Sequence, residues 1–307
     1  MNGEVLIQKR REPTLAVVLP SRNGGDYLVE ALKSLERQIV MPDLIQLSDN
    51  NSHDTTLDQF RAFAQRNLNA RVISAEKYLE LGESFNFAAS NVKEDWLYFL
   101  HSDDILSPKA VKVIKKEIAK VCDHVGIISF QAEWVNESTD LVRAVFGLGS
   151  RKKHNGMTFI QNNLGGSNLN FGAVVINRRI FTELGGFDQA NSLWLDLKFY
   201  HKLVLTYEIL EVPIPILRYR VYTSIRSSDK RIEVEQNNFK YWNNDYLPKL
   251  ARDLKFDLPK PGTPQGLLTK IRLFLKRENR TYKVIRMIKI VLRKRMDKLN
   301  IGMFASL

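Results

Sequence analysis

Short aliphatic runs alternate with stretches of helical periodicity from Leu15 onward, and this alternation constrains the fold more than any other feature of the sequence. The runs Leu15–Leu19, Ile45–Ser48 and Arg71–Ser74 have the length of buried strands, and helical patterns at 26–38 and 54–66 separate them. This rhythm is typical of βαβ units. It predicts an α/β domain with helices flanking a mostly parallel sheet.

The alternation continues at Trp96–Leu100, a fourth apolar run, which follows a helical pattern near 84–91 and precedes a helix opening at Pro108. Beyond this helix the pattern becomes mixed. Further segments with a recognisable period are strands at Val125–Gln131 and Ala173–Ile176 and a helix at 196–205.

Polar clusters stand where three of the predicted strands end, at Pro20–Asp26, Asp49–Asp54 and His101–Asp104. In an open α/β sheet the ligand crevice forms outside the carboxyl ends of the strands, where such loops meet. We therefore expect these three loops to line one binding site.

Asp103 and Asp104 stand just past the run Trp96–Leu100 and are candidates for a metal site. Hard divalent cations prefer oxygen ligands and are commonly held by one or two carboxylates together with substrate phosphates. The alternative is that the two acids cap the next helix, because carboxylates favour helix N-termini. Asp49 has a similar alternative, since Asp-Asn-Asn-Ser is an ordinary turn sequence.

Six segments occur in an order that resembles the inverting family 2 glycosyltransferases of the bacterial surface-polysaccharide type, from about Leu15 to Ser228. The segments are Val17–Asn23, Leu47–Ser52, Gly82–Asn86, Trp96–Asp104, Leu184–Asp188 and Arg218–Arg220.

The resemblance implies an α/β fold of the GT-A type, a Rossmann-like nucleotide-diphospho-sugar transferase fold, over residues 1–230. Its nucleotide-binding half would occupy about 13–105 and its acceptor half about 106–230. A basic helical extension would follow at 231–307.

The resemblance also implies an activity, the transfer of a sugar from a nucleotide diphosphate donor to a glycan or lipid-linked glycan acceptor in surface-polysaccharide synthesis. A UDP-sugar is the favoured donor, and Mn²⁺ or Mg²⁺ bound by Asp103 is the implied cofactor. The implied donor-binding residues are Pro20, Ser21, Arg22, Asn23, Asp49, Asn51, Asn86, His101, Ser102 and Asp103.

Asp196 is the general base that the resemblance implies, because an acceptor hydroxyl is a poor nucleophile until its proton begins to leave. The alternative is a solvated acid at the start of a helix. Trp194 and Asp188 are the implied acceptor-binding residues, although an aromatic residue at position 194 is as often a packing residue.

Four positions depart from the family pattern. His101 replaces the first acid of the Asp-x-Asp metal motif, and Leu195 replaces an acid before the base. Lys202 replaces an arginine six residues after the base, and Tyr222 stands where a histidine is common. The departures at His101, Leu195 and Tyr222 motivate an alternative function, a catalytically silent subunit that binds a nucleotide sugar within an assembly complex.

The net charge of +12 lies entirely in the last 59 residues. Residues 1–248 contain 30 basic and 30 acidic side chains, whereas residues 249–307 contain 16 and 4. Within 265–298 apolar and basic residues recur at helical spacing, which predicts contact with a membrane surface. The alternatives are packing on the chain's own core or on a second copy, which would make a homodimer. A nucleic-acid partner is not expected, because no recognised binding module accompanies the charge.

The single cysteine, Cys122, excludes an intrachain disulfide and is expected to pack in the core. No run reaches the roughly 18 apolar residues of a membrane span, and no secretory leader is recognised. We therefore expect a cytoplasmic protein, held peripherally at the inner face of the cytoplasmic membrane.

Overall fold

A computed structural model describes residues 11–143, 151–164, 166–189, 194–221 and 240–258. The chain divides into two compact units. The first contains the residues up to 163 together with 167–244, and the second contains 164–166 and the residues from 245 onward.

The first unit is built on a parallel block of β1 (Leu15–Ser21), β2 (Leu44–Asp49), β3 (Ala70–Ser74) and β4 (Trp96–Phe99). These strands lie in the order β3-β2-β1-β4, and every neighbouring pair is parallel. All seven residues of β1 are buried, because helices cover both faces of such a block. This explains why the strands read as continuous aliphatic runs.

The helices that accompany this block are α1 (Gly25–Glu36), α2 (Thr56–Arg66) and α3 (Leu81–Ala88). In α1 the buried apolar residues Leu28, Leu32 and Leu35 recur at helical spacing and form one face. That face packs into the same core as β1 and β2.

The rest of the first unit continues the sheet to ten strands within the described residues, in the order β3-β2-β1-β4-β9-β6-β10-β5 with β7 on β6 and β8 on β10. Its elements are β5 (Ile105–Leu106), α4 (Ala110–Ile118), β6 (Val125–Val135), β7 (Leu141–Arg143), β8 (Lys152–His154), α5 (Gly156–Asn162), β9 (Val174–Asn177), α6 (Arg178–Glu183), α7 (Leu195–Leu203) and β10 (Glu208–Arg220).

The predicted α/β class is confirmed, and the predicted parallel pairing holds for β1 to β4. Beyond β4 the sheet is mixed, because β9 runs antiparallel to both β4 and β6 whereas β10 runs parallel to β6. Apolar runs predict strands but carry no information about strand direction, and for this reason the change of direction is not visible in the sequence.

The described part of the second unit contains α8 (Leu247–Asp253), which begins with Pro248 in its first turn. The predicted boundary at 230/231 and the membrane-contact segment 265–298 lie outside the described residues. Among the described residues, none of the helices combines the length and apolar character that a bilayer span requires.

The prediction that Cys122 packs in the core is wrong. Cys122 is exposed and lies in the turn between α4 and β6, where its carbonyl accepts a hydrogen bond of 3.1 Å from the amide of Val125. The buried face of α4 ends at Ile118, four residues earlier.

His201 generates a prediction about acid stability. Its side chain is buried in α7, and burial lowers its pKa from 6.5 to about 3. Between these two values the unfolded chain binds a proton that the folded chain does not. Stability is therefore lost as the pH falls through this window.

Urea unfolding at pH 7.5 and pH 5.5 measures this effect. Replacing His201 by glutamine should reduce the stability lost between the two pH values by about 1.4 kcal/mol, the penalty of one such histidine at pH 5.5. The same change at His53, which is exposed, is the matched control. An unchanged pH dependence in His201→Gln would contradict the assignment.

Candidate functional site

The three polar loops predicted to meet do lie side by side. In the sheet register Ser21 is opposite Asp49, and Asp49 is opposite Ser74, so that β1, β2 and β3 end at the same level. The amide of Leu100, after β4, donates to the Val18 carbonyl at 3.0 Å. The register of the parallel block therefore places the loop after β4 beside the loop after β1.

Asp49 is a buried carboxylate at this edge, with 1% of its surface exposed. Its Oδ2 accepts hydrogen bonds from the Ser74 hydroxyl at 3.1 Å and the Ser52 amide at 3.3 Å. Its Oδ1 is buried and accepts no hydrogen bond from the described residues. The Ser21 hydroxyl is also buried and has no hydrogen-bond partner among the described residues. Such unpaired buried atoms are costly, so both are suited to a ligand with complementary polar groups.

The loops after β1 and β2 are tied to each other. The Asn23 amide donates to the Ser52 hydroxyl at 3.0 Å, and the Asn23 side-chain oxygen accepts from the His53 amide at 2.9 Å. Asn23 has a φ of 51° and Asn51 a φ of 53°, left-handed conformations that asparagine tolerates well. The Asn51 side chain donates to the Glu76 carbonyl at 3.1 Å. Both asparagines therefore shape the walls of the site.

Arg22 and Tyr78 form a stacked pair at the exposed edge of these loops, with the guanidinium carbon 4.1 Å from the ring centroid. Pro20, the other predicted residue of this loop, is buried within β1 opposite Ser48. Tyr78 was not among the predicted residues, because a single aromatic residue in the loop after β3 belongs to no recognisable motif.

A cluster of possible metal ligands lies in the loop after β4. One ligand atom each from His101, Asp103 and Asp104 lies within 4.8 Å of the other two. The His101 ring is held edge-on by Phe85 and Phe171, at centroid distances of 5.8 and 5.1 Å. Burial lowers the pKa of His101, which favours the neutral imidazole that can bind a metal.

The two adjacent acids have different surroundings. Asp104 is 1% exposed, and its Oδ1 accepts from the Arg220 amide at 2.9 Å. Its Oδ2 lies against Gly172, where an added Cβ would approach it to 2.8 Å. Burial and the neighbouring Asp103 raise the pKa of Asp104. Asp103 and Ser102 remain partly exposed, so Asp103 is the acid that a cation can reach.

This donor set suits a divalent cation of the Mn²⁺ or Mg²⁺ type. A partly exposed carboxylate beside a second carboxylate and a neutral imidazole offers both oxygen and nitrogen atoms. The Nε2 of His101 and the Oδ2 of Asp104 are buried and have no hydrogen-bond partner within the described residues.

Asn86, predicted to lie near the donor, holds a loop through both atoms of its side-chain amide. Its Nδ2 donates to the Phe187 carbonyl at 2.8 Å, and its Oδ1 accepts from the Phe187 amide at 2.9 Å. The preceding Gly186 has a φ of 69°, and a Cβ there would approach Asn86 Oδ1 to 2.5 Å. One helical turn away, Gly82 leaves room for the Asp188 carbonyl. Through these contacts α3 positions the segment that ends at Asp188.

Both predicted acceptor residues contact other residues of their own chain. Trp194 precedes α7, and its ring lies 4.6 Å from that of Trp242 in an edge-to-face arrangement. Asp188 accepts from the Lys198 ammonium at 2.9 Å, and the same ammonium lies 4.7 Å from the Tyr241 ring centroid. These contacts favour the packing alternative for Trp194. Lys198, Tyr241 and Trp242 have no sequence motif that would have identified them.

Asp196 lies in the first turn of α7 and is partly exposed. Its charge acts on Tyr200, one helical turn later, whose pKa is raised first by burial and then by Asp196. Lys202, on the same helix, donates a hydrogen bond to the Leu184 carbonyl. The helix that presents Asp196 is therefore attached to the Leu184–Asp188 segment through both Lys198 and Lys202. Tyr222 lies outside the described residues.

Comparison with known proteins gives a consistent result. Residues 16–184 match the family model described as glycosyl transferase family 2. A segment of 104 residues, 34% of this chain and 35% of the relative, is 26% identical to the glycosyltransferase GlyG of Streptococcus pneumoniae serotype 4.

Two solved structures share the fold. The crystal structure of S. aureus TarS 1-349 in complex with UDP-GlcNAc has a TM-score of 0.55 at 17% identity, covering 85% of this chain and 81% of that one. The crystal structure of GalNAc-T7 with UDP, GalNAc and Mn²⁺ has a TM-score of 0.57 at 16% identity, covering 81% and 55%. The chain spans about a third of GlyG and 37% of a longer TarS structure.

Proposed function

The chain belongs to glycosyl transferase family 2 and has the predicted GT-A fold, and from this premise we propose that it transfers a sugar from a nucleotide diphosphate donor to a glycan or lipid-linked glycan acceptor. The observation that supports this most strongly lies at one sheet edge. There the buried Asp49 Oδ1, which has no hydrogen-bond partner among the described residues, converges with the His101–Asp104 cluster.

In this proposal Asp49 accepts a hydrogen bond from an N–H group of the base, and Ser21 contributes its hydroxyl to the same pocket. Arg22 and Tyr78 lie at the rim of that pocket. UDP is the favoured nucleotide, since it is present in the similar TarS and GalNAc-T7 structures. Mn²⁺ or Mg²⁺, held by Asp103, would neutralise charge on the diphosphate.

Asp196 is the proposed general base. It accepts the proton of an acceptor hydroxyl while that oxygen bonds to the anomeric carbon and the bond from this carbon to the diphosphate oxygen breaks. Attack from the face opposite the leaving nucleotide diphosphate inverts the configuration in a single displacement. The contacts of Lys198 and Lys202 with the Leu184–Asp188 segment support this role, because they fix the helix that presents Asp196.

Two substitutions separate donor binding from chemistry. Asp103→Asn should lose most of the thermal stabilisation that a UDP-sugar gives in the presence of Mn²⁺, because ligand stabilisation follows affinity. Asp196→Asn should keep that stabilisation and lose at least about 100-fold in transfer rate, the lower end of a general base's contribution. Thermal shift and nucleotide release measure the two effects, with chelator as the metal-free control.

The results also decide between the two candidate functions. An Asp196→Asn protein with the full wild-type transfer rate would show that Asp196 is not the general base. The alternative, a catalytically silent nucleotide-sugar binder, is favoured by His101 in place of the usual acid. A wild-type protein that is stabilised by donor and metal, yet transfers and hydrolyses nothing with any acceptor supplied, would establish that alternative.

We further propose that the basic segment 265–298 holds the enzyme at the inner face of a membrane, near a lipid-linked acceptor. Its concentration of basic residues and apolar residues at helical spacing supports this. The full chain should float with anionic vesicles, and residues 1–258 should not. Neutral vesicles are the control for charge. Equal flotation of the two proteins, or a concentration-dependent dimer in place of flotation, would contradict the membrane role.

A further inference from the structure

Arg220, the last residue of β10, is a charged side chain with no solvent exposure. Its Nε donates to the Asp103 carbonyl at 3.0 Å and its Nη1 to the Glu137 carbonyl at 2.7 Å. Its Nη2 donates to the Glu30 carboxylate, and the guanidinium carbon lies 4.5 Å from the Tyr27 ring centroid. All three guanidinium nitrogens therefore have an acceptor.

The main chain of Arg220 contributes one more contact, from its amide to Asp104 Oδ1 at 2.9 Å. One residue therefore binds the backbone of Asp103 and the side chain of Asp104. Through Glu30 and Tyr27 it connects the loop after β4 to α1, and through Glu137 it connects this loop to the turn after β6. Arg220 thus anchors the loop that contains the candidate metal ligands to α1 and to the turn after β6.

This arrangement depends on the shape of the arginine side chain. A buried cation is tolerated only with a charge partner and complete hydrogen bonding, and here one carboxylate and two carbonyls supply them. The planar guanidinium reaches three acceptors in different directions, whereas a lysine ammonium is a single centre on a flexible stem. Lysine would keep the charge and lose part of this geometry.

Arg218, two residues earlier on the same strand, shows the contrast. Its side chain is 53% exposed and forms one ion pair, at 3.4 Å, with Glu133. It has no hydrogen bond to the His101–Asp104 loop among those of the described residues. Both arginines lie on β10, but Arg220 contacts the His101–Asp104 loop and Arg218 contacts Glu133. Arg218 is therefore a matched control.

We propose that Arg220 is a positioning residue of the metal site, which fixes the main chain at Asp103 so that the carboxylate stays where the cation binds. The proposal rests on the proposed function, because it requires Asp103 to be the metal ligand. Arg220 itself touches neither metal nor donor. Its effect is transmitted through the Asp103 carbonyl and Asp104.

Binding of Mn²⁺ in the presence of UDP, followed by the electron paramagnetic resonance signal of free Mn²⁺, tests the proposal without turnover. Arg220→Lys should weaken Mn²⁺ binding by about 10–100-fold, the usual effect of removing a residue that orients a metal ligand. Glu30→Gln should also weaken Mn²⁺ binding, by a smaller factor than Arg220→Lys. Arg218→Lys should leave it unchanged. A merely structural role would lower the melting temperature and leave the affinity of the folded fraction as it was.

An Arg220→Lys protein that is folded and binds Mn²⁺ within twofold of the wild type would overturn the proposal. If Arg220→Lys does not fold, Glu30→Gln provides the test. An unchanged Mn²⁺ affinity in Glu30→Gln would also overturn the proposal. Asp103→Asn separates this failure from that of the proposed function. If both the wild type and Arg220→Lys bind Mn²⁺ and Asp103→Asn does not, only the positioning role of Arg220 fails. If wild type does not bind Mn²⁺ with UDP, both fail.

Discussion

The register of the parallel strands is the constraint on which the candidate site depends. β1, β2 and β3 pair so that Ser21, Asp49 and Ser74 lie in one row. The polar residues that follow each strand therefore lie at the same edge of the sheet. The hydrogen bond from the Leu100 amide to the Val18 carbonyl adds the loop after β4 to that edge. A shift of β2 by one residue against its neighbours would turn Asp49 to the other face.

Residues outside these loops hold them in place. Arg220 reaches the loop of His101–Asp104 from the end of β10, and Asn86 fixes Phe187 ahead of Asp188. Asn86 uses both atoms of its amide on the main chain of Phe187, and Arg220 binds two main-chain carbonyls and the Glu30 carboxylate. Asp49 Oδ1 remains without a hydrogen bond from the described residues, and the Asp103 carboxylate is partly exposed. Fixed loops around polar atoms that a ligand could bind are the arrangement expected of a preorganised binding site.

The sequence predicts the strands and the strand-end loops well, because aliphatic runs and turn residues are local signals. β1 begins at Leu15 and β3 ends at Ser74, as the sequence predicts. The contacts that hold the site are not local. Arg220 and Asp103 are 117 residues apart, and Asn86 and Phe187 are 101 apart. Nothing in the local pattern shows that Asn86 serves a loop, that Trp194 packs on Trp242, or that β9 runs antiparallel to its neighbours.

The most direct test of the account is a crystal structure of the protein with UDP and Mn²⁺. The account predicts the base against Asp49, between the loops after β1 and β2, and Mn²⁺ on the Asp103 carboxylate beside the diphosphate. A nucleotide bound elsewhere on the molecule, or a cation bound beside the diphosphate without Asp103, would contradict it.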